Sequence, residues 1–269
     1  MENHVRIDHL SHRFINKKTQ PYPVLHNINL SIRKGEVVCL VGNSGCGKST
    51  LIQMLAGLER PSEGVLICNN REISGPGPDR ALVLEQPTLL PWLSCFQNVY
   101  LAVEQVFGAR ETPGELRARA RAALTRVGLL NDAAKFPGEL SAGMRQRVSI
   151  ARAIAMEPKV LLMDEPFNAL DPLTRSHLQD DVLRIVGTLD TTVIMVSHDV
   201  DEALLMADRI VLLTQGPAAT IGTIVPVDLP RPRNRLTVLS EPRYLELRTR
   251  ILTFLHDQRH HREPELHAA

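Results

Sequence analysis

Hydrophobic residues follow two rhythms along this chain. Val37–Val41, Val160–Met163, Thr192–Val196 and Ile210–Leu213 are short, nearly continuous apolar runs, the pattern of strands buried on both faces. Lys48–Leu58 instead repeats Leu51, Ile52, Met54 and Leu55 at helical spacing, and Glu115–Val127 places Leu116, Ala120, Ala123, Leu124 and Val127 on one face. Further helices are predicted after Ser141 to about Met156, over Thr174–Gly187 and over about Glu241–His256. A strand at Ile28–Ile32 leads to Val37–Val41 through the turn Arg33-Lys34-Gly35-Glu36. Strands alternating with helices predict parallel pairing through crossovers, hence a doubly wound α/β core. The helical block 93–156 reads as an insertion between two halves of that core, with a long helical pattern over 93–130. Arg117, Arg119, Arg121 and Arg126 fall mostly off its apolar face and are expected to be solvated.

Charge and composition narrow the function. The 269 residues carry 31 basic and 30 acidic side chains, a net charge of +1 that argues against bulk nucleic-acid binding. Hydrophobic residues at 43% and charged residues at 23% suit a folded globular chain. No apolar run approaches the roughly 18–20 residues needed to span a bilayer. The first residues, with Glu2, His4, Arg6 and Asp8, lack the apolar centre of a signal peptide. Any link to a membrane is therefore expected through a partner. The four cysteines (Cys39, Cys46, Cys68, Cys95) show no metal-ligand spacing and read as reduced thiols.

One segment carries specific chemistry. Gly42-Asn43-Ser44-Gly45-Cys46-Gly47-Lys48-Ser49, followed by Thr50, fits G-x-x-x-x-G-K-[ST] between a predicted strand and a predicted helix. Average residue usage gives such a match by chance in roughly 1% of chains this long. Glycines let successive N–H groups turn inward around a polyphosphate, and the helix adds its positive end. Lys48 is then the β/γ-phosphate ligand and Ser49 a Mg²⁺ ligand. Farther on, the run Val160–Met163 ends in Asp164 and Glu165, at the strand end where open α/β sheets bind ligands. Asp164 suits the Mg²⁺ shell, and Glu165 suits the base that activates water.

With these two segments in place, the sequence resembles the ATP-binding-cassette (ABC) ATPases. Leu140-Ser141-Ala142-Gly143-Met144-Arg145-Gln146-Arg147 looks like the family signature, with Ser141 93 residues after Lys48 and 23 before Asp164. Asn168-Ala169-Leu170-Asp171 is similar to the D-loop, and His198 to the switch histidine. The resemblance implies a P-loop NTPase core with a mostly parallel sheet, an antiparallel β subdomain and an inserted helical subdomain. It implies Ser141, Ala142, Gly143 and Asp171 as contacts to ATP held by an opposed subunit, so that two chains close head to tail as a homo- or heterodimer. Phe14 holds the position of the aromatic ring that stacks on adenine, with Tyr22 as the alternative. Two residues depart from the family pattern. The Q-loop glutamine falls on Glu85, with Gln86 beside it, and the first signature glycine is Ala142. A carboxylate still ligates Mg²⁺ but adds negative charge near the γ-phosphate. The alanine methyl costs energy if its position needs a positive φ.

The resemblance sharpens toward importer ATPases of the nitrate/sulfonate/taurine group, through Leu89-Leu90-Pro91-Trp92-Leu93 and Asn98-Val99. It makes Trp92 a candidate for the permease interface. Gln215–Gly222, Pro230-Arg231-Pro232-Arg233 and Pro242–Arg248 are similar to the nitrate, cyanate and bicarbonate branch. The implied organisation is a nucleotide-binding domain over 1–225, a helical subdomain at about 87–157 and a C-terminal segment over 226–269. The implied setting is the cytoplasmic face of a bacterial inner membrane, with permease subunits and a periplasmic or lipid-anchored binding protein as partners and no nucleic acid. The alternatives are sulfonate/taurine, cyanate or bicarbonate uptake, or a catalytically weakened partner in a heterodimer. A soluble cassette for DNA repair or translation is disfavoured, for lack of a second cassette or a coiled-coil insertion.

Overall fold

The computed structural model describes residues 3–14, 21–189, 191–233 and 235–260. Two compact units divide the chain, Met1–Gly75 with Ile194–Ala269, and Pro76–Val193. The first stretch runs β1 (Asn3–Phe14), β2 (Tyr22–Arg33), β3 (Val37–Val41), α1 (Lys48–Ala56), β4 (Glu63–Cys68) and β5 (Arg71–Glu72). The middle stretch runs β6 (Arg80–Leu84), α2 (Cys95–Phe107), α3 (Pro113–Arg126), α4 (Ala142–Ala155), β7 (Val160–Asp164), α5 (Pro172–Thr188) and β8 (Thr192–Val196). The last holds α6 (Val200–Met206), β9 (Arg209–Leu213), β10 (Ile221–Pro226), α7 (Arg235–Val238) and α8 (Pro242–His260).

In the first unit, β2, β1, β4 and β5 form an antiparallel sheet. Ile28, Leu30 and Ile32 are buried while their neighbours face out, the alternation of a strand covered on one side. β3 is buried at all five positions and pairs parallel with β9, which pairs antiparallel with β10. A strand with two buried faces has no room for polar side chains, which is why Val37–Val41 reads as a continuous apolar run.

In the second unit β6 and β7 pair parallel, in register from Arg80↔Val160 to Leu84↔Asp164. The helical pattern over 93–130 resolves into two helices. Ser94 and Gln97 form a capping box that starts α2. Thr112 and Glu115 form a second box, with Pro113 in the first turn of α3. Arg119 also departs from the solvated face expected for it. Its guanidinium binds Glu111 and Glu157 and lies 4.1 Å from the Phe107 ring centroid.

The tail is an anchored part of the first unit. Arg233 donates to the carbonyls of Leu204, Leu205 and Ala207, closing the C-terminal end of α6. Tyr244, Leu247 and Ile251 bury one face of α8. The Tyr244 hydroxyl and Arg248 Nε both donate to Asp201 Oδ1, at 2.6 and 2.7 Å. Burial raises the Asp201 carboxyl, but these hydrogen bonds outweigh it and hold its pKa below the ordinary value. A depressed folded pKa contributes stability above the unfolded value of about 3.9, lost as pH falls through the folded one. Asp201→Asn is therefore expected to lower stability at pH 7 and to flatten the loss seen below about pH 4. Urea unfolding at both pH values measures it, and an unchanged difference between them defeats it.

Candidate functional site

In the first unit the loop 42–47 joins β3 to α1. Its geometry explains the glycine at 47. That residue lies at φ 91 and serves as the N-cap of α1, and its carbonyl accepts from the Leu51 N–H at 2.9 Å. A Cβ there would stand 2.7 Å from Leu25 Cδ2 and 2.9 Å from Val24 Cγ1. Lys48 is 4% exposed, and its ammonium donates to the carbonyls of Gly42 at 2.9 Å and Asn43 at 3.0 Å. The cation is thus fixed against the loop by these two carbonyls and by Cys46 Sγ at 3.8 Å. Cys46 is fully buried, and burial pushes its thiol up against the opposing effect of Lys48.

Phe14 and Tyr22 are register partners at the end of the β1–β2 ladder, 48% and 52% exposed. Both rings stand at one sheet end, so the backbone does not choose between them. The His12 ring meets Phe14 edge-on at 4.9 Å. His198 is exposed just after β8, and the next residue, Asp199, caps α6 through the N–H groups of Asp201 and Glu202.

In the second unit β7 ends at Asp164, and Glu165 turns the chain at φ 48, a left-handed conformation that is costly for a side chain of this size. Its carbonyl accepts from the Asn168 N–H at 3.2 Å. Because Leu84 and Asp164 are register partners, Glu85 and Glu165 leave neighbouring strands at the same edge. Asn168 then reaches across: its Nδ2 donates to Glu85 Oε1 at 2.7 Å. Gln86 is exposed.

The helix starts α4 and α5 meet in the same unit. Ser141 caps α4 by accepting from the Met144 N–H at 3.2 Å. Asp171 caps α5 by accepting from Thr174 N at 3.0 Å, and this backbone bond lowers its carboxyl pKa. Gly143 faces Thr174 so closely that a Cβ would lie 2.4 Å from Thr174 Cγ2. Ala142 opens α4 and is not among the positive-φ residues, so its methyl carries no backbone strain. Nearby, buried Asn98 accepts from Leu90 N at 2.8 Å and donates to the carbonyls of Leu90 and Leu93 at 3.1 and 3.0 Å. These bonds pin the Leu89–Leu93 segment while Trp92 is 70% exposed.

Known proteins share this arrangement. The ABC transporter family profile matches residues 25–168. Over 254 residues the chain is 51% identical to the nitrate transport protein NasD of Klebsiella oxytoca, covering 94% of this chain and 97% of that one. It is 48% identical over 255 residues to the bicarbonate transport ATP-binding protein CmpC of Synechocystis, covering 95% of this chain but 38% of that longer one. A dimeric ATP-binding cassette solved in a post-hydrolysis state with ADP and Pi superposes with a TM-score of 0.74. It is 28% identical and covers 84% of this chain and 100% of that one.

The chain belongs to the ABC transporter ATPases. Its fold is the P-loop NTPase cassette, with parallel pairing, an antiparallel β sheet and inserted helices. As an ABC ATPase it binds nucleotide and couples ATP hydrolysis to transport. Among the described residues no helix is long and apolar enough to cross a membrane. No group of three or more His, Cys, Asp or Glu side chains converges as a metal centre there. Two contacts of this ABC ATPase escape sequence reasoning. Asn168 was visible as part of a D-loop-like quartet, but its hold on Glu85 spans 83 positions. Thr174 carries no motif at all, and only packing makes it the neighbour that keeps Gly143 small.

Proposed function

We propose that this chain is the ATP-hydrolysing subunit of a bacterial importer for a small anion, nitrate or nitrite. The observation that carries the reading is the 51% identity to a nitrate transport protein, over nearly the full length of both chains. Bicarbonate transport proteins at 46–48% identity make bicarbonate the nearest rival. Residues 1–225 act as the nucleotide-binding domain, with 226–269 as a C-terminal segment. Two copies, or this chain and a second cassette, close head to tail on permease subunits at the cytoplasmic face of the inner membrane. The dimeric state of the solved cassette supports that assembly.

In this reading Phe14 stacks on adenine, and Gly42 to Thr50 wrap the phosphates with Lys48 on the β/γ oxygens. Ser49, Asp164 and Glu85 supply the hard oxygen donors that suit Mg²⁺, which neutralises phosphate charge when bound. Glu165 takes a proton from water as the water oxygen bonds the γ-phosphorus. The bond from that phosphorus to the bridging oxygen of ADP breaks, releasing ADP and phosphate. His198 orients the γ-phosphate, and Ser141, Gly143 and Asp171 serve the nucleotide of the opposed subunit.

The experiment is ATPase activity of the reconstituted transporter with its binding protein. Nitrate or nitrite is expected to stimulate turnover. Stimulation by bicarbonate, cyanate or a sulfonate in their place overturns the substrate reading.

Glu85 supports a second reading, of a slowed site. A carboxylate held by Asn168 near the γ-phosphate repels the nucleotide that a glutamine amide would contact. Glu85→Gln keeps an acceptor for Asn168 and removes the charge. It is expected to raise kcat about three- to tenfold, the size of roughly 1 kcal/mol of relieved repulsion. Steady-state ATPase assays measure it, and an unchanged or lower kcat shows that the carboxylate is no brake.

A further inference from the structure

The tail helix α8 reaches the phosphate loop. Asn43, the second residue of that loop, donates its side-chain amide to the Leu255 carbonyl in α8 at 3.4 Å. Three residues on, Gln258 accepts from the backbone N–H of Gln215 through its Oε1 at 3.1 Å. The segment that begins at Gln215 lies against the same loop. A Cβ on Gly216 would stand 3.3 Å from the Gly45 carbonyl oxygen and 3.9 Å from Cys46 Cα. This segment is also joined to β2, by Ala218 N–H to Pro23 O at 3.0 Å, Ala219 N–H to Val24 O at 3.0 Å and His26 N–H to Ala219 O at 2.9 Å. Val24 and Leu25 are the two side chains under Gly47.

The other end of α8 is held independently, by the bonds of Tyr244 and Arg248 to Asp201. Beside Leu255, Phe254 packs over Gly222, where a Cβ would lie 2.4 Å from the ring. A rigid, doubly fastened helix thus touches a loop that has left-handed glycines at Gly45 and Gly47. Such a loop has many accessible backbone states, and contacts from outside it add to the Lys48 bonds in selecting one of them. Fixing it before the ligand arrives lowers the cost of binding and leaves the chemical step alone.

We propose that α8 is a positioning element for the phosphate loop, acting through the Asn43–Leu255 bond and the Gln258–Gln215–Gly216 relay, so that the C-terminal tail sets ATP affinity. The proposal rests on residues 42–49 being the phosphate site. It gives Gln258 a role in the known reaction as a positioning residue with no contact to nucleotide.

The test uses the full chain with Gln258→Leu, which removes the acceptor, and Gln258→Glu, which keeps an oxygen for the Gln215 N–H. Gln258→Leu is expected to raise the ATP Kd about threefold to tenfold, the effect of one lost hydrogen bond, with kcat at saturating ATP within about twofold. Amide exchange in nucleotide-free protein is expected to speed up over 42–47 and 215–219, and Gln258→Glu restores both readings. Unchanged Kd and exchange in Gln258→Leu overturn the proposal. So does a Kd rise that Gln258→Glu fails to reverse, or a fall in Tm with no change in Kd. Lys48→Ala run in parallel tests the phosphate site itself: wild-type affinity in that variant refutes the site, while the exchange data still judge the brace.

Discussion

Glu165→Gln is expected to lower kcat for ATP hydrolysis by at least about a hundredfold while changing ATP Kd by no more than about threefold. The asymmetry follows from where the residue sits. Its carboxylate leaves the end of β7 beside Asp164, and its backbone is held at φ 48. The Asn168 N–H bonds the Glu165 carbonyl, an interaction of the main chain that the substitution leaves intact. Glutamine has the same length and the same backbone preference, so the turn survives. The loss is confined to a group able to accept a proton, and a positioned base contributes about 10²–10⁴ in rate. Single-turnover kinetics with bound ATP measure the chemical step directly. Turnover within about threefold of wild type would remove Glu165 from the base role and point to substrate-assisted or solvent proton transfer.

The second large effect belongs to Gly47→Ala, expected to weaken ATP binding at least about tenfold and to lower Tm. Two costs add at this position. A left-handed conformation costs a non-glycine residue roughly 1–2 kcal/mol. The new methyl also lands 2.7 Å from Leu25 and 2.9 Å from Val24, side chains that are 1% and 6% exposed and have nowhere to retreat. The start of α1 or the start of β2 must shift, and Gly47 itself closes the phosphate loop as the N-cap of α1. Gly45→Ala separates the terms. Gly45 lies at φ 78, but a Cβ there meets nothing within 4 Å, so only the backbone cost remains. Calorimetric titration with ATP is expected to rank Gly47→Ala well below Gly45→Ala in affinity. Equal losses would mean that the packing under Gly47 is irrelevant to the site.

Much of the fold was legible because apolar patterning reports burial directly. β3 and β8 occupy the apolar runs Val37–Val41 and Thr192–Val196, and α1 begins at Lys48, where the glycine loop ends. The helical block was harder. An apolar stripe continues in period across a break, so 93–130 read as one pattern. The capping boxes at Ser94 and Thr112 were written in the sequence, but hydrophobic periodicity does not count polar caps. Arg119 misled for a related reason: the other arginines of α3, Arg117, Arg121 and Arg126, are exposed, and only Glu111, Glu157 and Phe107 brought alongside make it an ion-paired residue.

By itself the sequence determined the candidates for the chemistry: a G-x-x-x-x-G-K-S loop, two carboxylates at a strand end and a signature-like segment in the family's order, a resemblance that the relatives bear out at the level of the family. These are local facts, because each depends on residue types within a few positions of one another and on spacing along the chain. Only the tertiary structure decided what holds those segments in place. It set Asn168 on Glu85, Thr174 against Gly143, Val24 and Leu25 under Gly47, and the tail helix on Asn43. Such contacts join residues far apart in sequence, and their energies depend on distances of a few ångströms that no periodicity encodes.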